Sequence, residues 1–339
     1  MKRALFALSL LAACAGGTDA DLLVDAQQRF SPLPSDYTTA ARPIRPDAVT
    51  LGRMLYFENR LSKNHDISCN SCHDLAQYGV DGRRFSLGHR KQEGGRNAPT
   101  VYNAAAGLAQ FWDGRAADVE AQAVGPIRNP VEMAMTSDQQ VIDTLASMPE
   151  YVAAFSRTFP GQSIAMALIG DAIGAFERRL VTPDRFDRFL RGDIDALTAA
   201  ERTGLRTFVE VGCATCHSGV ALGATSYRKA ASLRPWPAGG SDLGRFEITR
   251  QEADKGVFKV PTLRNIARTA PYFHDASVAT LDEAVRRMAL VQHDRDLTSE
   301  QVSAIVTFLG ALTGELPTDL IQQPELPKSG ATTPLPDPN

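Results

Sequence analysis

Apolar side chains recur at helical intervals along much of the chain, between loops rich in glycine, proline and charge. In the first half Leu51, Met54 and Leu55 follow a helical period, which predicts an amphipathic helix. In the second half Leu205 and Phe208 repeat in the same way. The pattern predicts a mainly α-helical protein in which a helix leads into each of two cysteine-containing segments.

The N-terminus has the pattern of an export signal. A basic start is followed by an apolar run at 4–13 that is too short to span a bilayer. The run ends in Leu-Ala-Ala-Cys14, which resembles a bacterial lipobox. We therefore expect a signal peptide at 1–20, a tether at 21–42, and a periplasmic protein that a lipid on Cys14 could anchor to the membrane. The alternative is ordinary signal cleavage without a lipid.

A Cys-x-x-Cys-His motif occurs twice. The first copy is Cys69, Cys72 and His73, and the second is Cys213, Cys216 and His217. This spacing is typical of covalent c-type haem attachment, with thioether bonds from both sulfurs and the histidine as proximal iron ligand. A redox dithiol or half a zinc site is the alternative for one copy, but two complete copies favour two haems.

Cysteine count and a second repeat fit this interpretation. Four of the five cysteines lie in the two motifs, which excludes a disulfide framework. The repeat is a Pro-Thr-x-x-Asn loop, ending at Asn103 in the first half and at Asn265 in the second. The chain is therefore predicted to be a tandem of two cytochrome c-like domains, at 43–190 and 191–316. We expect the proline-rich tail at 317–339 to be extended or disordered.

The two copies differ where a second axial iron ligand would stand. In the second copy one helical face carries four apolar residues, namely Leu281, Ala284, Val285 and Met288. The Met288 thioether is a candidate ligand that would raise the potential of that haem; the alternative is a core methionine. The equivalent residue of the first copy is Pro126.

The first copy instead offers His89, Gln122 and Glu132. His89 stands in a loop rich in glycine and charge, and as a loop residue it could bind iron in one state and leave in another. Beside an open ferric iron, Glu132 could take a proton from one peroxide oxygen and deliver it to the other. Ordinary alternatives are a solvated histidine and a surface carboxylate.

The charge balance of the chain bears on its possible partners. The 339 residues carry a formal net charge of −3. This balance gives no reason to expect nucleic acid or a strongly charged membrane surface as a partner.

The chain resembles the bacterial di-haem cytochrome c peroxidases. The resemblance runs from about residue 46 to 317 and is carried by five segments, at 67–73, 96–100, 110–116, 258–265 and 269–275. It implies that this protein reduces hydrogen peroxide with electrons from a small cytochrome c or cupredoxin. It also implies a homodimer.

The resemblance further implies roles for individual residues. The haem held by His73 would be the peroxidatic centre, with His89 as its displaceable ligand and Gln122 and Glu132 in the peroxide pocket. The haem held by His217 and Met288 would be the site of electron entry. Trp112 matches the tryptophan between the haems. Three positions match a calcium site at the domain junction, namely Asn97, Thr269 and Pro271.

Two other functions remain at this point. One is a related di-haem enzyme that oxidises tryptophan residues of a partner protein, although that group carries tyrosine at the Met288 position. The other is a non-enzymatic electron carrier, which needs neither an open iron nor Glu132. Two departures are also present: Ala276 replaces the usual glycine, and the lipobox is not general to the family.

Overall fold

A computed structural model describes residues 17–236 and 242–339. Within these residues the chain forms thirteen α-helices and one two-stranded antiparallel sheet. The prediction of a mainly helical fold is confirmed. None of the helices in the described part is long and apolar enough to cross a membrane.

The secondary structure is distributed along both halves of the chain. The α-helices are α1 (Asp19–Arg29), α2 (Pro46–Tyr56), α3 (Cys69–Cys72), α4 (Val119–Ala123), α5 (Gly125–Arg128), α6 (Asp138–Ala146), α7 (Pro149–Thr158), α8 (Met166–Glu177), α9 (Arg185–Leu190), α10 (Ala199–Val211), α11 (Phe246–Thr249), α12 (Leu281–His293) and α13 (Ser299–Gly310). The strands are β1 (Tyr227–Lys229) and β2 (Val257–Lys259), paired with Tyr227 opposite Lys259. Short 3-10 turns occur at Asn59–Leu61, Leu75–Gln77, His89–Lys91, Ala104–Ala106, Ile194–Ala196, Cys213–Thr215, Glu252–Asp254 and Ile266–Arg268.

The first hydrophobic core is built around the crossing of α2 and α8. Helix α2 begins with Pro46, which suits the first helical position because its missing N–H needs no partner there. At the crossing, a Cβ atom on Gly52 would lie 1.8 Å from the carbonyl oxygen of Ala172. Only glycine therefore allows the two backbones to approach this closely.

The second core repeats this crossing with α10 and α13. A Cβ atom on Gly204 would lie 2.0 Å from the carbonyl oxygen of Ala304 and 2.9 Å from the Cβ of Phe308. A Cβ atom on Gly52 would likewise lie 2.9 Å from the Cβ of Phe176 in α8. The two halves thus share one packing geometry, as the sequence repeat predicts.

The repeated asparagines meet at the junction of the halves. Asn103 and Asn265 both adopt left-handed backbone conformations, with φ of 58° and 63°. Each donates its side-chain N–H to the hydroxyl oxygen of Thr182 at 2.8 Å. These three side chains are buried, so the pairing satisfies polar groups that would otherwise be costly to bury.

The N-terminal segment differs from the expected tether. Most of helix α1 falls in the expected tether at 21–42, and Leu22 and Ala26 of the helix, with Phe30 directly after it, pack into the second core. These residues recur every four positions, so burying one helical face stabilises the segment. The first sixteen residues, including Cys14 and most of the expected signal peptide, lie outside the described part of the chain.

The boundary between the halves also differs from the expected one. Phe186 and Phe189 of α9 are buried in the second core, where Phe186 packs edge-on against Phe308. The second unit therefore begins before residue 185 and not at 191.

The C-terminal tail is extended but attached to the first unit, the half of the chain built around the α2–α8 core. The carbonyl oxygen of Pro327 accepts a hydrogen bond from Arg60 at 2.7 Å, and Thr333 bonds to Ser147 at 2.7 Å. Asp337 pairs with Lys63 at 3.2 Å. The tail is thus extended, as expected, but ordered by these contacts.

The helix crossing gives a stability prediction. Gly204→Ala is expected to destabilise the protein by about 1–3 kcal/mol, because the new methyl group overlaps a backbone oxygen that cannot move freely. Gly310→Ala is the matched control, since a Cβ there meets no atom within 4 Å. Denaturant unfolding of both variants measures the difference, and equal stability of the two would contradict the packing argument.

Candidate active site

The first cysteine motif is held on a short helix. Ser68 caps α3 at its N-terminus, and His73 follows the last residue of the helix. His73 is fixed through both its backbone and its ring. The hydroxyl of Tyr56 donates to the carbonyl oxygen of His73 at 2.7 Å. The Nδ1 atom of His73 lies 3.4 Å from the carbonyl oxygen of Gly79. A hydrogen bond at Nδ1 leaves Nε2 as the atom that can bind a metal.

The second motif has the same arrangement. Helix α10 ends at Gly212, whose φ of 101° turns the chain into the segment that carries Cys213 and Cys216. The Nδ1 atom of His217 lies 3.0 Å from the carbonyl oxygen of Leu222. Burial lowers the pKa of His217 to about 4, so its imidazole is neutral at pH 7, as metal ligation requires.

A cavity of about 480 Å³ adjoins the second motif. Cys213, Cys216 and His217 line it, and Met288 of α12 lines it too. The donor set of two thiols, one imidazole and one thioether in an otherwise largely apolar cavity fits a haem. Within the described residues, no three His, Cys, Asp or Glu side chains converge as a metal-binding group.

Residues of the first unit form one wall of this cavity. Trp112 lines it and donates its indole N–H to the carbonyl oxygen of Asn97 at 2.8 Å. The Trp112 carbonyl oxygen accepts the backbone N–H of Lys259 at 2.8 Å. Trp112 is therefore fixed from both sides at the junction of the units.

His274 lines the same wall as a packed residue. Its ring stacks on Phe258 with centroids 4.1 Å apart, and its carbonyl oxygen accepts the N–H of Asn97 at 2.8 Å. The nearby turn keeps a glycine-like conformation in spite of the substitution, since Ala276 has a φ of 50°.

Glu132 lies in the first unit. Burial is the main cause that raises the thiol pKa values of Cys69 and Cys72, and the nearby charge of Glu132 acts in the same direction. Glu132 is half-buried, and Asn129 donates to its carboxylate at 2.8 Å. Burial raises the pKa of Glu132, while the positive charge of Arg115 acts in the opposite direction. Gln122, the other predicted pocket residue, is half-buried in α4.

The His89 loop packs directly on the Glu132 loop. The His89 N–H donates to the carbonyl oxygen of Glu132 at 2.7 Å, and a Cβ on Gly88 would lie 1.9 Å from the Val131 oxygen. His89 is buried, and its Nε2 atom lies 3.3 Å from the main-chain oxygen of Asn339. In this conformation the nitrogen that could bind iron is in contact with the tail instead.

The three predicted calcium residues, Asn97, Thr269 and Pro271, all lie on the wall of the cavity beside His217. The Asn97 amide N–H groups donate to the carbonyl oxygens of Arg83 and Arg84 at 3.0 and 3.4 Å. No described residue donates a hydrogen bond to the Asn97 side-chain oxygen, and a neutral oxygen of this kind suits a hard cation.

Sequence reasoning missed several residues of this region. Lys259 and His293 line the cavity, and the sequence patterns assign a role to neither of them. The available signal for Lys259 was its place in the repeat, two residues before the Pro-Thr loop. The role of Tyr56 depends on a contact seventeen residues along the chain, which no local pattern reveals.

A buried carboxyl pair lies behind the first motif. Glu120 forms a two-bond ion pair with Arg178, at 2.7 and 2.9 Å. Glu177 is buried next to them, and burial, together with the charge of Glu120, raises its pKa to about 8. Glu177 is therefore protonated in the folded protein at neutral pH.

The fold and the site define a class of protein before any comparison. Two helical units with the same crossing each present a Cys-x-x-Cys-His segment with an oriented imidazole, and a cavity suited to haem separates Trp112 from His217. This is the organisation of a protein with two haem sites whose surroundings differ.

Comparisons with known proteins identify the family. A family model described as di-haem cytochrome c peroxidase matches residues 46–195. The cytochrome c551 peroxidase of Nitrosomonas europaea is 46% identical, over 88% of this chain and 89% of that protein. The cytochrome c551 peroxidase of Pseudomonas aeruginosa is 44% identical, over 94% of this chain and 93% of that protein. A crystal structure of a MauG-like protein associated with microbial copper homeostasis has a TM-score of 0.75 at 29% identity, over 86% of this chain and 95% of that one. The chain belongs to the di-haem cytochrome c peroxidase family and is an oxidoreductase of the peroxidase class.

The buried Glu177 gives a pH prediction. Because its pKa is raised in the folded state, its protonated form stabilises the fold at low pH, and this contribution is lost as the pH rises from about 4.5 towards 8. Glu177→Gln is expected to remove this pH dependence of the free energy of unfolding, which is at most about 1.4 kcal/mol per pH unit. Urea unfolding between pH 5 and 8 measures the slope, with exposed Glu150→Gln as the control. Parallel curves for wild type and Glu177→Gln would refute the assignment.

Proposed function

We propose that this protein reduces hydrogen peroxide to water in the periplasm, with electrons from a small cytochrome c or cupredoxin. Each turnover consumes one peroxide, two electrons and two protons and yields two waters. The observation that carries the proposal is the difference between the two sites. The cavity beside His217 is lined by the Met288 thioether. In the first unit the position that matches Met288 is Pro126, and a half-buried carboxylate, that of Glu132, lies near Cys69 and Cys72 instead.

The residues present would hold two c-type haems. Cys69 and Cys72 would attach one through thioether bonds, and Cys213 and Cys216 would attach the other, with His73 and His217 as proximal ligands. When bound, the haems supply the redox chemistry. A thioether ligand favours the reduced iron, so the Met288 site is the one suited to accept electrons from the donor.

Glu132 is the proposed proton carrier. It takes a proton from one peroxide oxygen and delivers it to the other, so that the second oxygen leaves as water. Its half-buried position excludes bulk water in part and raises its pKa towards the working range of a general acid and base. Asn129 orients the carboxylate, and Gln122 is proposed to position the substrate.

Trp112 and His89 complete the proposed site. Trp112 is fixed between the units by hydrogen bonds at its ring and its carbonyl group, which suits a relay between the two sites. His89 is proposed to leave the first iron when the enzyme becomes active. Because its N–H is bonded to the Glu132 carbonyl oxygen, its movement would be coupled to the Glu132 loop.

The alternatives have less support. Oxidation of tryptophan residues in a partner protein is disfavoured because Met288, and not tyrosine, lines the cavity. A simple electron carrier would have no use for a half-buried carboxylate beside an open site. We also propose, on the family resemblance alone, a homodimer and a calcium ion held through Asn97, Thr269 and Pro271.

The acid–base role gives a catalytic prediction. Glu132→Gln keeps the shape of the side chain but cannot accept a proton, so peroxide turnover should fall by about 10²–10⁴. Glu93→Gln changes an exposed carboxylate close to the His89 loop and should leave turnover unchanged. Turnover is measured as peroxide-dependent oxidation of a reduced small cytochrome c. Full activity of Glu132→Gln would exclude the acid–base role.

The lipobox gives a localisation prediction. If Cys14 carries lipid, the mature protein should partition with membranes, and Cys14→Ser should release or mislocalise it. Fractionation of cells expressing each form measures this. A soluble wild-type protein that begins after Ala15 would refute the lipid anchor, although not the peroxidase function.

A further inference from the structure

The wall of the cavity beside His217 is unusual in its charge. Three cationic side chains line it, those of Arg228, Lys229 and Lys259. No Asp or Glu is among the described residues that line it. A largely apolar cavity with positive charge and no carboxylate is suited to an occupant that brings its own negative charge.

Lys259 differs from the other two cations. Arg228 and Lys229 are exposed and keep water around their charges, whereas Lys259 is only partly exposed. Its backbone is fixed in β2 opposite Tyr227 and by the hydrogen bond to Trp112. Burial lowers the pKa of Lys259 to about 8, and no nearby charge opposes this effect.

No protein carboxylate compensates the Lys259 ammonium. Lys63 and Lys255 pair with Asp337 and Glu252 at 3.2 and 2.7 Å. In the described part of the chain, Lys259 has no such partner within 4.0 Å. The residues outside it, 1–16 and 237–241, contain no Asp or Glu at all. The missing anion therefore does not come from this chain.

We propose that Lys259 is the ion-pair partner of a propionate carboxylate on the haem held by His217. A haem brings two carboxylates, and the cavity in which Lys259 stands is the one lined by Cys213, Cys216 and Met288. The pair would help to hold the haem in this cavity. By neutralising one negative charge, it also favours addition of an electron at this site.

This makes Lys259 a positioning residue at the site of electron entry, and the inference rests on the function proposed above. Removing the charge leaves the propionate uncompensated, which disfavours the reduced haem. Lys259→Met should shift the reduction equilibrium of this haem by on the order of tenfold towards the oxidised form. For a one-electron couple that is a fall of about 59 mV in potential.

Potentiometric titration of the purified two-haem protein, followed by its absorption spectrum, measures this shift without reference to activity. Lys259→Arg keeps the charge and should restore a potential close to wild type. Lys255→Met removes an exposed lysine from the same segment and should change nothing. An unchanged potential in Lys259→Met would overturn the proposal.

Haem content separates the other outcomes. If Lys259→Met loses the second haem while Lys259→Arg keeps it, the pair is needed to hold the haem, which supports the proposal. If both variants lose it, the shape of lysine and not its charge is required, and the proposal fails. A wild-type protein with fewer than two haems by intact mass would instead contradict the proposed function itself.

Discussion

The close crossing of two helices at a glycine is the constraint on which both halves of this protein depend. At Gly52 and Gly204 the partner backbone lies where any side chain would have to stand. Each crossing is a fixed frame for a Cys-x-x-Cys-His segment. In the first half Tyr56, at the end of the helix that crosses at Gly52, donates a hydrogen bond to the carbonyl oxygen of His73. In the second half the same helix that crosses at Gly204 ends at Gly212 and places Cys213. Backbone packing thus places the second motif, and the hydrogen bond from His217 Nδ1 to the carbonyl oxygen of Leu222 orients its imidazole.

From this common frame the two sites diverge through the residues that face them. Among the described residues, those that line the cavity beside His217 include a thioether and cationic side chains but no carboxylate, a setting that would favour a reduced metal centre. In the first unit the corresponding region holds Glu132 and His89 on two loops that pack against each other. In the proposed mechanism one site would hold an electron and the other would move a proton, and the chemistry of a peroxidase requires both.

Much of this organisation could be predicted from local patterns. The cysteine motifs and the repeated asparagines depend on short spacings, and Asn103 and Asn265 both donate hydrogen bonds to Thr182 in the fold. The errors concern contacts between distant segments. Helix α1 was expected to be a tether, although Leu22, Ala26 and Phe30 already follow a helical period. The docking of the tail depends on backbone oxygens such as that of Pro327, which composition does not reveal. The isolation of Lys259 becomes visible only once the whole wall of the cavity is known.

The central claim is that the two sites divide electron storage and peroxide chemistry between them. The most direct measurement is the absorption spectrum of the half-reduced protein before and after one equivalent of hydrogen peroxide. The account predicts that the first electron reduces only the haem held by His217 and Met288. Peroxide should then change the spectrum of the other haem and reoxidise the first. If peroxide left both spectra unchanged, or if the first electron went to the haem held by His73, the division of roles would be contradicted.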